Sequence, residues 1–201
     1  MSKLETNTID TVSGTSTLQV GSTNTSTITL GVSGDTVNIP SGVTIANSGT
    51  ATGFGGANTP FFQVIKTSDQ SISNANSTKL TWDSAVTESS SAFDLTNNKF
   101  TATVAGKYLF SVRVGFYDSD NNLKRTTIYN YKNNSGYRTS DFFMANGGIR
   151  NSTVYDTWIE DVAVNDYFEV YVLQNTTDSG ACNVEGGSNF ETSFSGFKLI
   201  D

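Results

Sequence analysis

Histidine is absent from the 201 residues. That removes the commonest general base and metal ligand, and with it any Ser-His-Asp or Cys-His arrangement within one chain. There is one cysteine, Cys182, so no intrachain disulfide and no cysteine-based zinc site can form within a chain. Cys182 reads as a small buried or loop residue with nothing beside it to activate the thiol. Charged residues are only 15% of the chain, and the net charge is -7. An acidic chain repels a phosphate backbone unless basic residues cluster, and the longest basic run, Lys124-Arg125, reads as a solvated strand end. Nucleic acid is therefore not the expected partner. No stretch approaches the roughly 20 apolar residues of a membrane helix, so no membrane insertion is expected. Residues 1–7 carry no apolar run of the secretory kind, so the expectation is synthesis in a cytoplasm without export by the general pathway.

What is present is Ser, Thr and Asn in quantity, with 18 Gly and only 2 Pro, a composition suited to short strands and turns. Residues 1–56 contain a single aromatic, Phe54, while the rest is rich in Phe and Tyr. The change falls at Gly53-Phe54-Gly55-Gly56, which reads as a linker. Ahead of it apolar residues alternate: Leu18 and Val20; Ile28, Leu30 and Val32; Val37 and Ile39; Val43 and Ile45. Period two predicts short strands, and Gly21, Gly31, Gly34, Gly42 and Gly49 predict turns between them. Two or three aliphatic side chains per strand do not offset backbone entropy of about 1–2 kcal/mol per residue. Three copies wound about one axis would bury the rows together, so residues 13–56 are expected to form an intertwined trimeric β-stalk with Leu18, Val20, Ile28, Leu30, Val37, Ile39, Val43 and Ile45 as its core. Residues 1–12, with Leu4, Ile9 and Val12 as an apolar strip, are expected to be a docking peptide. A plain polar linker is the competing reading.

From about Phe61 the pattern is that of an all-β sandwich. Tyr108, Phe110, Val112, Val114 and Phe116 form one apolar strand face, and Phe168, Val170 and Val172 another. Leu109, Tyr117, Tyr167, Tyr171 and Leu173 fall on the opposite faces, so a subunit contact is expected to cover them. Trp82 and Trp158 are expected in the core.

Phe194-Ser195-Gly196-Phe197-Lys198-Leu199-Ile200 resembles the final strand of C1q-like domains. Phe93-Asp94-Leu95, the run from Lys99 to Val112 with Ala105 in the usual proline place, and Val164-Asn165-Asp166-Tyr167-Phe168-Glu169-Val170 resemble further motifs of that family in the expected order. The resemblance covers about residues 61–201 and implies, for a head at 57–201, a ten-stranded C1q/TNF-like jelly roll assembled as a homotrimer, with both head termini at one end. Leu4-Glu5-Thr6-Asn7-Thr8-Ile9, Gly34-Asp35-Thr36-Val37-Asn38-Ile39-Pro40 and residues 49–56 resemble tail-fibre and appendage proteins of tailed bacteriophages, particularly marine ones. Together they imply a non-enzymatic virion fibre, bound to other virion proteins through its N-terminus and to a host cell-surface glycan or protein through its head. An architectural component, such as a capsid decoration or tail adaptor, is the alternative, and a polysaccharide depolymerase a lesser one.

For a depolymerase, Glu160-Asp161 or Asp166 with Glu169 would have to flank a glycosidic bond. Neighbouring strand residues face opposite ways, so Glu160 and Asp161 do not converge. Asp118-Ser119-Asp120-Asn121-Asn122 opens like a calcium loop, but Leu123 stands where the glycine turn is needed and Tyr129 where the closing glutamate belongs. It reads as a polar hairpin loop; calcium stays a weakly supported ligand and no other cofactor is expected. With the strands and the shared end of the termini taken from the C1q-like resemblance, antiparallel pairing places loops 67–77, 117–122, 143–151 and 174–189 at the far end. Tyr117, Asp118, Asp120, Asn121, Asn146, Arg150, Asn175 and Asp178 are the candidate receptor contacts, with Tyr117 and Arg150 as anchors.

Overall fold

The structure, a computed structural model, describes residues 20, 27–46, 58–89, 91–187, 189 and 191–199. The chain divides into two compact units, Met1–Ala51 and Thr52–Asp201.

In the first unit, residues 27–46 are extended and carry turns at 33–34 and 41–42, with no paired strand among them. Asp35 closes the first turn: its carboxylate accepts the Val32 N–H at 2.9 Å while its own N–H reaches the Val32 carbonyl. Gly31, Gly34 and Gly42 all take positive φ, the left-handed backbone for which a glycine is the ordinary choice. Val20, Ile28, Leu30, Val32, Val37, Ile39, Val43 and Ile45 are all exposed, between 46% and 76%. Among the described residues the strands expected at 28–32, 37–39 and 43–45 do not form, and their apolar rows have nothing to bury against. Leu4, Ile9, Val12 and Leu18 lie outside the described residues.

Among the described residues of the second unit thirteen strands follow one another: β1 (Phe61–Ile65), β2 (Gln70–Ile72), β3 (Thr78–Lys79), β4 (Ser84–Glu88), β5 (Phe93–Asp94), β6 (Lys99–Thr101), β7 (Gly106–Tyr117), β8 (Leu123–Lys132), β9 (Ser135–Phe143), β10 (Asn151–Val162), β11 (Tyr167–Thr176), β12 (Cys182–Val184) and β13 (Ser193–Lys198). They form two sheets, and the strand pairs are antiparallel. In the first sheet the order β4-β1-β13-β7 continues to β10, which pairs with β7 along the whole of one edge. The other edge of β7 is shared by β13 and β12, and β2 lies outside β12. The second sheet runs β5-β6-β11-β8-β9, with β3 also beside β11. Thirteen strands stand in place of the ten expected; β2, β3 and β12 have only two or three residues each, too few to carry a period-two signal.

The core lies between the sheets. Tyr108, Phe110, Val112, Val114 and Phe116 of β7 are at most 1% exposed, and Phe168, Val170 and Val172 of β11 face them. Phe110 packs on Phe168 with ring centroids 4.5 Å apart, and Phe62 stacks on Phe100 at 4.8 Å and meets Phe194 edge-on at 4.9 Å. Trp82 and Trp158 are buried here, as their place among alternating strand residues predicts. Gly196 sits opposite Phe110 because a Cβ there would lie 2.5 Å from the Phe110 ring and 2.8 Å from that of Phe62. The glycine of the Phe-Ser-Gly-Phe run is thus a packing requirement of the aromatic core.

The outward face of the first sheet is also apolar. Ile159 pairs with Leu109, Leu109 with Phe197, and Phe197 with Phe61, so one row of side chains crosses β10, β7, β13 and β1. Ile159 is 60% exposed and Tyr155, four residues back on the same face, 61%.

Candidate functional site

The registers fix which loops share an end. The Lys198 N–H donates to the Pro60 carbonyl, so the head's first and last described residues meet at one end, here the base. From there β1 and β7 run away from the base and β10 returns to it, which sends the segments after β1, after β7, before β10 and after β11 to the far end.

These segments are tied together there. The Asp118 N–H donates to the Arg150 carbonyl at 2.8 Å, and Leu123 bridges Ile149. The Asn122 side chain donates to Asp178 at 2.9 Å and accepts from the Thr177 hydroxyl at 2.8 Å. The Asn74 side-chain oxygen accepts the Thr176 N–H at 3.0 Å. Beneath them, fully buried Gln174 donates to the carbonyls of Ile72 and Gly180, each at 3.0 Å, holding two of the segments on one amide.

Tyr117 and Arg150 are brought into direct contact. The guanidinium lies 5.1 Å from the Tyr117 ring centre and donates to the phenol oxygen at 2.7 Å. Asp118 is 8% exposed, and its carboxylate accepts the Asp120 N–H at 2.8 Å, closing the turn rather than presenting itself to solvent. Asp120 and Asn121 are exposed on that turn, with Asn121 at φ +62°. The turn carries the chain from β7 in one sheet to β8 in the other, so it is a sheet-to-sheet connection and not the expected hairpin loop. Among the described residues no group of three or more His, Cys, Asp or Glu is placed to hold a metal ion. Asp178 is exposed, and donors led by the Gly180 N–H hold its carboxyl below the usual value. Asn146 is exposed on the segment before β10, and Asn175 is half-buried on β11.

The 177–180 turn separates two hollows. One is lined by Asp118, Asp120, Asp178 and Cys182. Cys182 is 3% exposed, and burial, with the Asp118 charge adding, pushes its thiol up to about 12, which makes it unreactive at neutral pH. The other is a groove of about 370 Å³ lined by Asn74, Lys124, Arg125, Phe143, Asn175, Thr176 and Ser179. Sequence reasoning missed Asn74, Asn122, Lys124 and Phe143. The Lys124-Arg125 pair was the visible signal, but its placement depends on a β-bulge: Arg125 pairs with Asn175 and Leu123 with Thr176, leaving Lys124 as the extra residue.

The carboxylates weighed for glycosidic chemistry are each paired with a lysine, and Glu160 and Asp166 share one, Lys132. Glu160 pairs with Lys132 at 2.9 Å, Asp161 with Lys107 at 2.6 Å, Asp166 with Lys132 at 3.2 Å and Glu169 with Lys79 at 2.5 Å. Sequence reasoning also passed over Glu185 and Glu191, which meet above Gly115 on the outward face of the first sheet. Burial raises the Glu185 carboxyl, and the charges of Glu191 and Asp69 add to it.

No family model matches the sequence, and no curated protein matches it. Among solved structures the chain is similar to the globular domain of zebrafish complement 1qA protein, at 14% identity over 70% of this chain and 97% of that one, TM-score 0.50. It is similar to murine APRIL, at 13% identity over 70% and 98%, TM-score 0.52. Eiger TNF from S. frugiperda matches at 12% identity over 71% and 94%, TM-score 0.51. At these identities the likeness is one of fold: the chain carries a C1q/TNF-type all-β jelly-roll head.

Proposed function

We propose that the chain is a homotrimeric, non-enzymatic virion fibre or appendage protein of a tailed bacteriophage, docked through residues 1–12 and attaching to the host cell through the far-end loops of its head. The observation that carries the reading is the unbroken apolar row Ile159, Leu109, Phe197 and Phe61 on the outward face of the first sheet. A soluble monomer has no use for such a row, whereas threefold packing of C1q/TNF-type heads buries it. The exposed aliphatic residues between Ile28 and Ile45 ask for the same partner copies. The resemblance of residues 4–9, 34–40 and 49–56 to tail-fibre proteins supports the phage origin.

Three copies would present three sets of far-end loops in one direction, so weak contacts to a surface glycan or protein would add by avidity. Attachment of the fluorescently labelled full chain to candidate host cells tests this. Binding that weakens when residues of the far-end loops are changed supports adhesion. A chain that binds no cell but binds virions lacking it points instead to the architectural role.

A further inference from the structure

We propose that the groove between the β8 bulge and the 175–179 turn is a binding site for an acidic saccharide. Its floor is a cross-strand row on the outward face of the second sheet, since Phe143 pairs with Arg125 and Arg125 with Asn175. Lys124, squeezed out of register by the bulge, brings a second cation to the same wall. Arg125 is held by Asp141 at 3.0 Å, but among the described residues Lys124 has no carboxylate within ion-pair distance. In a chain of net charge -7 an uncompensated ammonium beside a fixed guanidinium selects an anionic ligand.

The neutral groups narrow the class. The Asn74 side chain lines the groove and gives its oxygen to the Thr176 N–H, which fixes the amide and keeps its N–H donors for another acceptor. Asn175 and Ser179 add donors and acceptors within the same groove. Phe143 is 62% exposed at the rim, a flat apolar surface on which the C–H face of a pyranose can lie. An acidic peptide would use the cations but has no use for a flat ring flanked by amides. The ligand chemistry is therefore a hexopyranose carrying a carboxylate: Lys124 and Arg125 meet the carboxylate, Asn74 and Asn175 the hydroxyls, and Phe143 the ring face. The groove lies on the outward face of the second sheet while the proposed subunit contact uses that of the first, so all three grooves of a trimer stay open.

This inference gives the adhesion reading a ligand class, and the test separates the two. The full chain is titrated with a tetragalacturonate, its methyl ester, sialyllactose and hexaglutamate, as wild type and as Lys124→Ala, Phe143→Ala and Lys99→Ala. Lys99, beside Tyr167, serves as a cation outside the groove. Thermal melts confirm that each variant is folded. Binding of tetragalacturonate or sialyllactose that weakens about tenfold or more in Lys124→Ala, weakens in Phe143→Ala and is unchanged in Lys99→Ala is the expected result. Esterification should abolish the Lys124 dependence. Hexaglutamate binding as tightly as the sugars, or neither sugar binding, overturns the proposal. If the chain attaches to cells and the Lys124→Ala and Phe143→Ala variants attach equally well, the groove is wrong and adhesion survives. If acidic sugar binds as described but no cell does, the groove stands and adhesion fails.

Discussion

Arg150 spends its guanidinium on Tyr117, donating to the phenol oxygen at 2.7 Å and covering the ring from 5.1 Å. Two residues that read in the sequence as separate binding anchors are one unit, a clasp joining the segment after β7 to the one before β10. Tyr117→Phe and Arg150→Ala should therefore be non-additive, with a coupling of about 0.5–1 kcal/mol in a double-mutant cycle of thermal unfolding. If the clasp also touches the receptor, either change alone should lower cell attachment nearly as much as both together. Fully additive effects would show that the two residues act separately.

Ile159 is 60% exposed in the single chain and ends the apolar row through Leu109, Phe197 and Phe61. Ile159→Lys should leave the fold of one head within about 0.5 kcal/mol of wild type while placing a charge in the proposed subunit contact. The expected outcome is a lower assembled fraction in sedimentation velocity with an unchanged β-sheet circular dichroism spectrum.

Gly196→Ala should cost about 1–3 kcal/mol by overpacking, because the added methyl would lie 2.5 Å from the Phe110 ring. Pairing it with Phe110→Leu should recover part of the loss in chemical denaturation. A fully tolerated Gly196→Ala would mean that the aromatic core is packed differently.

Burial works against ionisation of Asp166, but the Asn133 amide at 2.7 Å, the Ala163 N–H at 2.9 Å and Lys132 at 3.2 Å outweigh it and hold the carboxyl below its ordinary 3.8. Asp83 behaves alike, with burial opposed by the Thr67 and Ser68 N–H groups at 2.8 and 3.0 Å. A carboxyl whose folded pKa is depressed binds fewer protons folded than unfolded as pH falls, so its stabilisation is complete above 3.8 and is lost as pH drops through the lower folded value. The melting temperature should therefore fall on acidification below about pH 4, and Asp166→Asn should make that fall shallower while lowering stability at pH 7.

The sandwich was legible where burial alternates strictly. β7 buries Tyr108, Phe110, Val112, Val114 and Phe116 and β11 buries Phe168, Val170 and Val172, the two apolar alternations visible in the sequence. The gathering of the far-end loops followed from antiparallel pairing once the strands and the shared end of the termini were taken from the C1q-like resemblance. What was not legible depends on register and on side chains finding each other across the fold. The bulge that sets Lys124 into a groove has no local signature, nor does the Asn74 contact with Thr176, 102 positions away. Asp118 looked like a surface ligand because its neighbours are polar, yet it closes its own turn and is 8% exposed. For residues 27–46 the glycine turns were readable, but among the described residues nothing buries the alternating aliphatics.

The most direct measurement is the solution mass of the full chain by multi-angle light scattering across a range of concentrations. The account predicts a single species of three chain masses that persists on dilution, because both the outward face of the first sheet and the exposed aliphatics of residues 28–45 need partner copies. A species of one chain mass at every concentration would contradict it, and would leave a C1q/TNF-type head without the assembly on which the fibre reading depends.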